Sequence, residues 1–255
     1  SLISYSLVFP KKILVLDTMR LKIQAPLMET VGRYQIGEKY YANGKLVEGP
    51  EDIPLKDIQK YIGRIPSGSL FFTNSRSYIS SEIIPGQWKH AAIYIGTQKQ
   101  VLARFGAASR VYHYLQPHYH TGEEILIFDS RADGVKIREL KELSNLDKVS
   151  YLKAFICFEI KTDIHTTELF LLNAFRHIGK NYDYDILTYD DSAFYCSELV
   201  FKSLATIGIN VNVTSSRFGR EAVSPSDIVK YIENTGISNN EFSFIYCLYR
   251  KEGKL

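Results

Sequence analysis

The chain changes its hydrophobic pattern at Lys161, and this change constrains the fold more than any other feature of the sequence. Before Lys161, short apolar runs stand between glycine, proline and polar residues, which is typical of buried β-strands. After Lys161, apolar residues recur every three or four positions, which is typical of helices. The sequence therefore predicts strands in the first part of the chain, helices in the last part, and one final aromatic strand over 242–250.

The same patterns give approximate element bounds. Strands are predicted over 68–73, 90–96, 100–105, 125–128, 134–140 and 154–160. The stretch 106–124 between them is interpreted as an inserted loop or hairpin. Helices are predicted over 166–178, 196–207 and 225–234, because each has an apolar stripe or a capping sequence and a glycine close behind it.

Residues 1–66 are interpreted as an N-terminal extension that precedes a main domain over 67–255. A hairpin is predicted over 34–47, because Asn43-Gly44 supplies the two residues with positive φ that a type I′ turn requires. A short helix is predicted over 53–62. At 255 residues, one large domain with an extension is favoured over two equal domains.

Composition excludes several partners. The formal charge of +3 comes from 31 basic and 28 acidic side chains without a long basic block, so nucleic acid is not an expected partner. No stretch approaches the about 20 apolar residues that cross a bilayer, so stable membrane insertion is not expected. The sequence leaves the oligomeric state open, and also the compartment, which is either cytoplasmic or reached by export after removal of a leader.

No metal site or other cofactor is predicted. His113, His118 and His120 lie near Glu123 and Glu124, but they have no regular ligand spacing and stand in the predicted loop. Glycine-rich phosphate-binding motifs are absent from the sequence.

Cys196 differs from the other two cysteines in its position. Cys157 and Cys247 lie inside apolar strand runs, where cysteine usually behaves as a small buried hydrophobe. Cys196 stands where a polar loop meets a helix, and the free N–H groups and dipole of a helix start favour a thiolate. The same N–H groups can stabilise a tetrahedral oxyanion. Cys196 is therefore a candidate nucleophile, which requires a base and a group that orients the base.

His90 is the candidate base. It opens a predicted buried strand directly after Pro85-Gly86 and Trp88, and a strand end is a rigid mount for a catalytic group. The alternative is a structural histidine at a strand end, which composition alone favours.

Six motifs follow one another in an order known from one family. They are Gly68-Ser-Leu-Phe-Phe, Trp88-Lys-His90-Ala-Ala-Ile-Tyr-Ile-Gly96, Asp129-Ser-Arg-Ala-Asp-Gly134-Val135, Gly179-Lys-Asn-Tyr182-Asp183-Tyr184, Tyr195-Cys196-Ser197-Glu198-Leu199-Val200 and Ser224-Pro225-Ser226-Asp227. In this order the chain resembles the permuted papain-like NlpC/P60 cysteine hydrolases of the YiiX/YebB type over residues 66–230. The resemblance implies an α+β fold, in which an antiparallel sheet or partial barrel packs on helices.

The resemblance also implies the roles of individual residues. Cys196 would be the nucleophile and His90 the general base, in the reverse of the papain order. Asp129 is the candidate for orienting His90, although the family has Glu there. A competing alignment places Val101-Leu102-Ala103 at this motif and leaves no carboxylate, and Asp129 would then be a turn residue.

Tyr182, Tyr184 and Tyr195 are the candidate substrate-binding residues. They flank Cys196 in the sequence, and a tyrosine hydroxyl there could donate a hydrogen bond to the oxyanion. The alternative is a loop held in place by aromatic packing. Glu198 complements the dipole of the helix and is at least as well explained as a helix-end charge.

The function expected from these residues and the resemblance is hydrolysis of amide bonds, in peptide or cell-wall-type substrates, through a Cys acyl-enzyme. One alternative is a thiol hydrolase or acyltransferase of lipid acyl esters, similar to lecithin:retinol acyltransferase. Those proteins carry Asn-Cys-Glu-His, whereas this chain has Tyr195-Cys196-Ser197-Glu198. The other alternative is a binding module that has kept the fold and lost turnover.

Overall fold

A six-stranded antiparallel sheet organises the part of the chain that the computed structural model describes. The described residues are 40–42, 45–47, 53–75, 84, 86–146, 150–183, 192–212, 216–217 and 220–249. Their strands are β1 (Tyr40–Ala42), β2 (Lys45–Val47), β3 (Leu70–Ser75), β4 (His90–Gly96), β5 (Leu126–Arg131), β6 (Gly134–Glu139), β7 (Leu152–Ile160), β8 (Ser216–Arg217), β9 (Arg220–Glu221) and β10 (Phe242–Tyr249). The large sheet has the order β10-β7-β3-β4-β5-β6, and β1–β2 and β8–β9 form two small hairpins.

Six helices accompany the sheet within the described ranges. They are α1 (Leu55–Gln59), α2 (Gln98–Phe105), α3 (Arg110–Leu115), α4 (Ile164–Phe175), α5 (Cys196–Ala205) and α6 (Pro225–Tyr231). Shorter helical turns cover Ile62–Arg64, Gln116–His118, Leu140–Asn145 and Ile232–Gly236. The predicted α+β class with an antiparallel sheet is confirmed.

Most predicted elements lie within a few residues of their observed bounds. The strand predicted over 90–96 is β4 itself, because the apolar run begins and ends with the strand. The predicted hairpin is present as β1 and β2, with Ala42 opposite Lys45, and its turn Asn43-Gly44 lies outside the described residues.

Two predictions between β4 and β5 are wrong. The segment predicted as a strand over 100–105 belongs to α2, because Thr97 and Gln100 form a capping box that starts a helix there. The predicted loop or hairpin over 106–124 contains α3, which begins where the Ser109 side chain accepts a hydrogen bond from Tyr112 N–H. Helix α3 buries Val111 and Leu115 against the core.

The sheet has an apolar layer on each face. The larger layer includes α4, α5 and α6, and its strand residues include Ile93 and Phe128. The smaller layer packs residues 53–65 against the opposite face, where Ile58 and Ile65 meet Phe71. The division of the chain between residues 66 and 67 stays a prediction.

Helix α5 packs against β4 and β5 on the face of the larger layer. Strand β4 begins with His90 and α5 begins with Cys196, so the fold brings a strand start and a helix start to the same region. Strand β5 is the neighbour of β4, with Ile93 opposite Phe128.

Candidate active site

His90 is mounted on a backbone that a second motif holds in place. The Ser226 hydroxyl accepts a hydrogen bond from Trp88 N–H at 2.8 Å and lies 3.2 Å from the Trp88 carbonyl oxygen. Gly86 is required just before this point, because its φ is +78° and a Cβ there would collide with Ser226. The Ser-Pro-Ser-Asp motif therefore fixes the chain two residues before His90.

Cys196 is the first residue of α5 and is 3% exposed. Two hydroxyl groups hold the chain beside it: Ser130 donates to the Phe194 carbonyl oxygen at 2.5 Å, and Ser197 donates to the Val223 carbonyl oxygen at 2.8 Å. The N-cap residue Tyr195 makes no side-chain cap, so no N-cap side chain occupies the first N–H groups of α5. These N–H groups are suited to an oxyanion.

His90 lies between Cys196 and Asp129. The Nε2 atom of His90 is 2.9 Å from Oδ2 of Asp129. The Cys196 sulfur lies near enough to the imidazole to raise the pKa of His90. Because Asp129 engages Nε2, Nδ1 is the ring nitrogen that remains for the sulfur.

The surroundings of His90 favour the imidazolium form. Burial alone would lower its pKa, but the Cys196 sulfur and the Asp129 carboxylate raise the pKa of His90 to about 9. A histidine with this preference can hold the proton of a neighbouring thiol, and the thiolate is the reactive form of a thiol nucleophile.

Asp129 is a fully buried carboxylate with three cationic or hydrogen-bonding neighbours. Arg138 Nε donates to Oδ1 at 2.8 Å, while Arg131 Nε lies 2.9 Å from Oδ2, the oxygen that also meets His90. Burial alone would raise the pKa of Asp129, but Arg131, His90 and Arg138 together hold this pKa well below its usual range. Asp129 is therefore an anion at neutral pH and can orient and stabilise the imidazolium.

Comparison with known families assigns the chain to one family. The family model described as the permuted papain-like amidase enzyme, YaeF/YiiX, C92 family, matches residues 64–244, which is more than half of the chain. The chain belongs to this permuted papain-like amidase family. It is accordingly a cysteine hydrolase of the peptidase and amidase class, and the family indicates a peptide-type substrate.

Two further comparisons add little to the family assignment. A crystal structure of the metalloprotein yiiX from Escherichia coli O157:H7 is similar to this chain with a TM-score of 0.49 and 15% identity, covering 73% of this chain and 99% of that chain. At that level of similarity it carries no argument about the site. A search of curated proteins found no match.

The structure describes two of the three tyrosines that were predicted to bind substrate. Tyr195 is partly buried, and its hydroxyl accepts a hydrogen bond from Val223 N–H at 3.2 Å, which leaves its own proton available for donation. Tyr182 is partly buried and follows the bridge between Asn181 and Ala193. Tyr184 lies outside the described residues. Their role in this amidase stays a prediction.

Glu198 lies one turn into α5. Its carboxylate is mostly buried and lies 3.0 Å from Lys202 Nζ, its i,i+4 partner on the helix. Burial raises the pKa of Glu198, and the nearby Asp183 carboxylate adds to this effect. These contacts fit the prediction of a charge near the helix end.

The sequence predicted that Cys157 and Cys247 are buried, and this is confirmed for Cys157 and wrong for Cys247. All three are free thiols. Cys157 is fully buried, and burial raises its pKa far above the ordinary range. Cys247 is exposed on β10, although its run had predicted a buried hydrophobe; the outer side of this edge strand has no described strand beside it.

Among the described residues, no group of three or more His, Cys, Asp or Glu side chains is arranged to hold a metal ion. No helix in the described part of the chain is long and apolar enough to span a membrane.

Sequence reasoning missed four residues that shape the site of this family member: Ser130, Arg131, Arg138 and Ser226. The two arginines stand on β5 and β6, and the signal that could have indicated them is the spacing of charged residues two positions apart, Asp129 with Arg131 and Lys136 with Arg138. The serines give no comparable signal, because the carbonyl groups they bind are distant in sequence.

Proposed function

We propose that Cys196, His90 and Asp129 hydrolyse an amide bond through a Cys196 acyl-enzyme. The observation that carries the proposal is an imidazole 2.9 Å from a buried carboxylate and under the electrostatic influence of a helix-start thiol. Membership of a permuted papain-like amidase family supports the same chemistry.

The reaction begins with transfer of the Cys196 proton to Nδ1 of His90. The thiolate attacks the substrate carbonyl carbon, and the oxygen becomes an anion held by N–H groups at the start of α5. His90 then gives its proton to the leaving amine as the C–N bond breaks, which leaves a thioester on Cys196. A water molecule, deprotonated by His90, attacks the thioester and releases the acid and the free thiol.

Asp129 keeps His90 in the orientation that this sequence of steps requires. Its carboxylate accepts from Nε2–H, so Nδ1 faces the sulfur in both the neutral and the charged states of the ring. Because Asp129 is itself held ionised by arginines, it stabilises the imidazolium formed in the first step.

The substrate that we propose is a peptide or an amino-acid amide, including cell-wall-type peptides. Tyr182, Tyr184 and Tyr195 are proposed to line the approach to Cys196, with the Tyr195 hydroxyl as a donor beside the oxyanion. Support comes from the position of Tyr195 directly before Cys196 and from the family's amidase activity.

The test of the proposal compares two cysteine variants. Each variant is incubated with a mixture of peptide amides, and the products are measured by mass spectrometry together with any acyl adduct on the acid-quenched protein. Cys196→Ala is expected to abolish hydrolysis and the adduct, and Cys247→Ala, which changes an exposed thiol, is expected to retain both. Full hydrolytic activity of Cys196→Ala would remove this mechanism.

The same assay distinguishes the alternative substrates. With labelled phospholipid in place of the peptides, a long-chain thioester on Cys196 would favour a lipid acyl hydrolase. A folded protein that forms no adduct with either class, and whose Cys196 reacts with iodoacetamide no faster than Cys247, would be a binding module.

A further inference from the structure

Asp129 has two oxygen atoms with different partners. Oδ2 meets His90 Nε2 and lies near Arg131, and both contacts are 2.9 Å. Oδ1 accepts from Arg138 Nε at 2.8 Å. A carboxylate can turn about its Cβ–Cγ bond, because this torsion has broad minima. The contact on Oδ1 therefore decides which way Oδ2 points.

Arg138 is held at both ends of its guanidinium group. Its side chain is 6% exposed, and its Nη1 and Nη2 atoms donate to the two oxygens of Asp133 at 2.8 and 2.6 Å. Nη2 also donates to the Gly134 carbonyl oxygen at 2.8 Å. Since the guanidinium is planar and rigid, this fork fixes the direction of the Nε–H bond to Asp129.

The strand register explains how Arg138 reaches Asp129. On β5 and β6, Ile127 lies opposite Arg138 and Asp129 lies opposite Lys136. Arg138 is thus the diagonal neighbour of Asp129 on the same face of the sheet, within reach of a long side chain. Asp133 stands in the turn that joins the two strands, so the hairpin itself carries the whole arrangement.

Arg131 is a different kind of neighbour. Its side chain is 26% exposed, and its Nε lies beside the oxygen that His90 uses. If Arg138 were absent, the carboxylate could turn to give both oxygens to Arg131, which would remove Oδ2 from His90. Because Arg131 competes for the carboxylate, the hydrogen bond from Arg138 to Oδ1 is needed to keep Oδ2 directed at His90.

We infer that Arg138 is a positioning residue, which aims the Asp129 carboxylate at His90 through a guanidinium clamped by Asp133. The inference rests on the proposed function of His90. Arg138 touches neither the substrate nor the sulfur, and it acts on His90 only through Asp129.

The test measures the hydrogen bond between His90 and Asp129 by NMR on protein labelled with ¹⁵N in its histidines. The Nε2–H proton of His90 is assigned by its loss in His90→Gln, and its exchange rate with water is measured in Arg138→Gln and in Lys136→Gln. Lys136 is the matched control, because it lies opposite Asp129 on β6 but its ammonium group pairs with Asp133, at 2.8 Å. The expected result is exchange at least about tenfold faster in Arg138→Gln and unchanged in Lys136→Gln.

A purely structural role for Arg138 predicts a different outcome. The free energy of unfolding would fall, but the Nε2–H signal of the folded Arg138→Gln protein would remain as in the unchanged protein, and this result would overturn the inference. Arg138→Lys keeps a charge but not the fork, so its exchange rate is expected to fall between the other two.

If Arg138→Gln does not fold, Asp133→Asn provides a second test of the inference. Asp133 has a half-exposed side chain, and its replacement weakens the clamp while leaving Arg138 and Asp129 in place. Faster exchange of the His90 proton is expected, and an unchanged rate would overturn the inference. Absence of the Nε2–H signal from the unchanged protein would contradict the proposed function, whereas a signal that does not depend on Arg138 or Asp133 contradicts only this inference.

Discussion

Replacement of Cys196 by alanine isolates the effect of the sulfur on the charge of His90. The pKa of His90 is raised from 6.5 to about 9, against the effect of burial. At 1.36 kcal/mol per pKa unit, this difference corresponds to about 3 kcal/mol in favour of the imidazolium. The Cys196 sulfur is the largest of the contributions that raise the pKa, and Asp129 supplies the others. We therefore expect Cys196→Ala to lower the pKa of His90 by at least about one unit.

The assay is an NMR pH titration of the histidine ring carbons, with the His90 signal identified by a His90→Gln variant. The control is Cys157→Ala, which changes a thiol in the smaller apolar layer of the sheet. A His90 signal that titrates at the same pH with and without the Cys196 sulfur would refute the reasoning. A signal that titrates near 6.5 in the unchanged protein would refute it as well.

The raised pKa of His90 also makes the free energy of unfolding depend on pH. A histidine whose pKa rises on folding stabilises the folded state fully below the pKa of the unfolded chain. For His90 this contribution is present below about 6.5 and is lost as the pH rises through about 9. Denaturant titrations between these pH values should show the loss in the unchanged protein, and a smaller one in Cys196→Ala.

Two other substitutions test how the chain around the site is held. Gly134→Ala should lower the free energy of unfolding by more than about 2 kcal/mol, because Gly134 has a φ of +92° and a Cβ there would lie 2.5 Å from a backbone carbonyl oxygen. The control is Gly63→Ala, which should change this free energy little because the space around Gly63 is open. Ser130→Ala removes the hydrogen bond to the Phe194 carbonyl and should cost about 1–3 kcal/mol. The control Ser203→Ala also removes a buried hydroxyl, but the Leu199 carbonyl that it binds keeps its partner within α5, so this variant should cost less. Only Ser130→Ala should also slow alkylation of Cys196, and equal rates in the two variants would contradict the role given to Ser130.

Local sequence was sufficient for elements whose pattern matches their surroundings. The run from His90 to Gly96 is apolar on both faces because β4 lies inside the sheet with helices on one side and residues 53–65 on the other. The start of α5 at Cys196 was indicated by the apolar stripe that follows it. Both candidate groups thus stand at element boundaries that the sequence marks.

Helix α2 shows where this reasoning failed. Val101 and Leu102 form a short apolar run that fits a strand equally well, and only the capping box at Thr97 distinguishes the helix. The alignment that set Val101 at the carboxylate position depended on the same ambiguity. In the structure Val101 lies on α2, and the carboxylate beside His90 is Asp129.

The contacts of the two arginines with Asp129 could not be predicted from local sequence, although charged residues at alternate positions mark both arginines. Their contacts depend on the register between β5 and β6 and on burial of the carboxylate, which are properties of the assembled sheet. A sequence shows that Arg131 and Arg138 lie near Asp129 along the chain, but charged residues of a hairpin usually face solvent. Only the folded sheet shows that one guanidinium is buried and clamped.

Strand β5 places two consecutive residues on opposite sides of the sheet. Asp129 serves the imidazole, and Ser130 serves the segment that leads to the thiol. A slip of one position would turn the Asp129 carboxylate away from His90 and toward the larger apolar layer, and would turn the Ser130 hydroxyl away from the Phe194 carbonyl, so misaligned molecules would be both unstable and unreactive. The register of one strand therefore governs both the packing of the sheet and the alignment of the two groups.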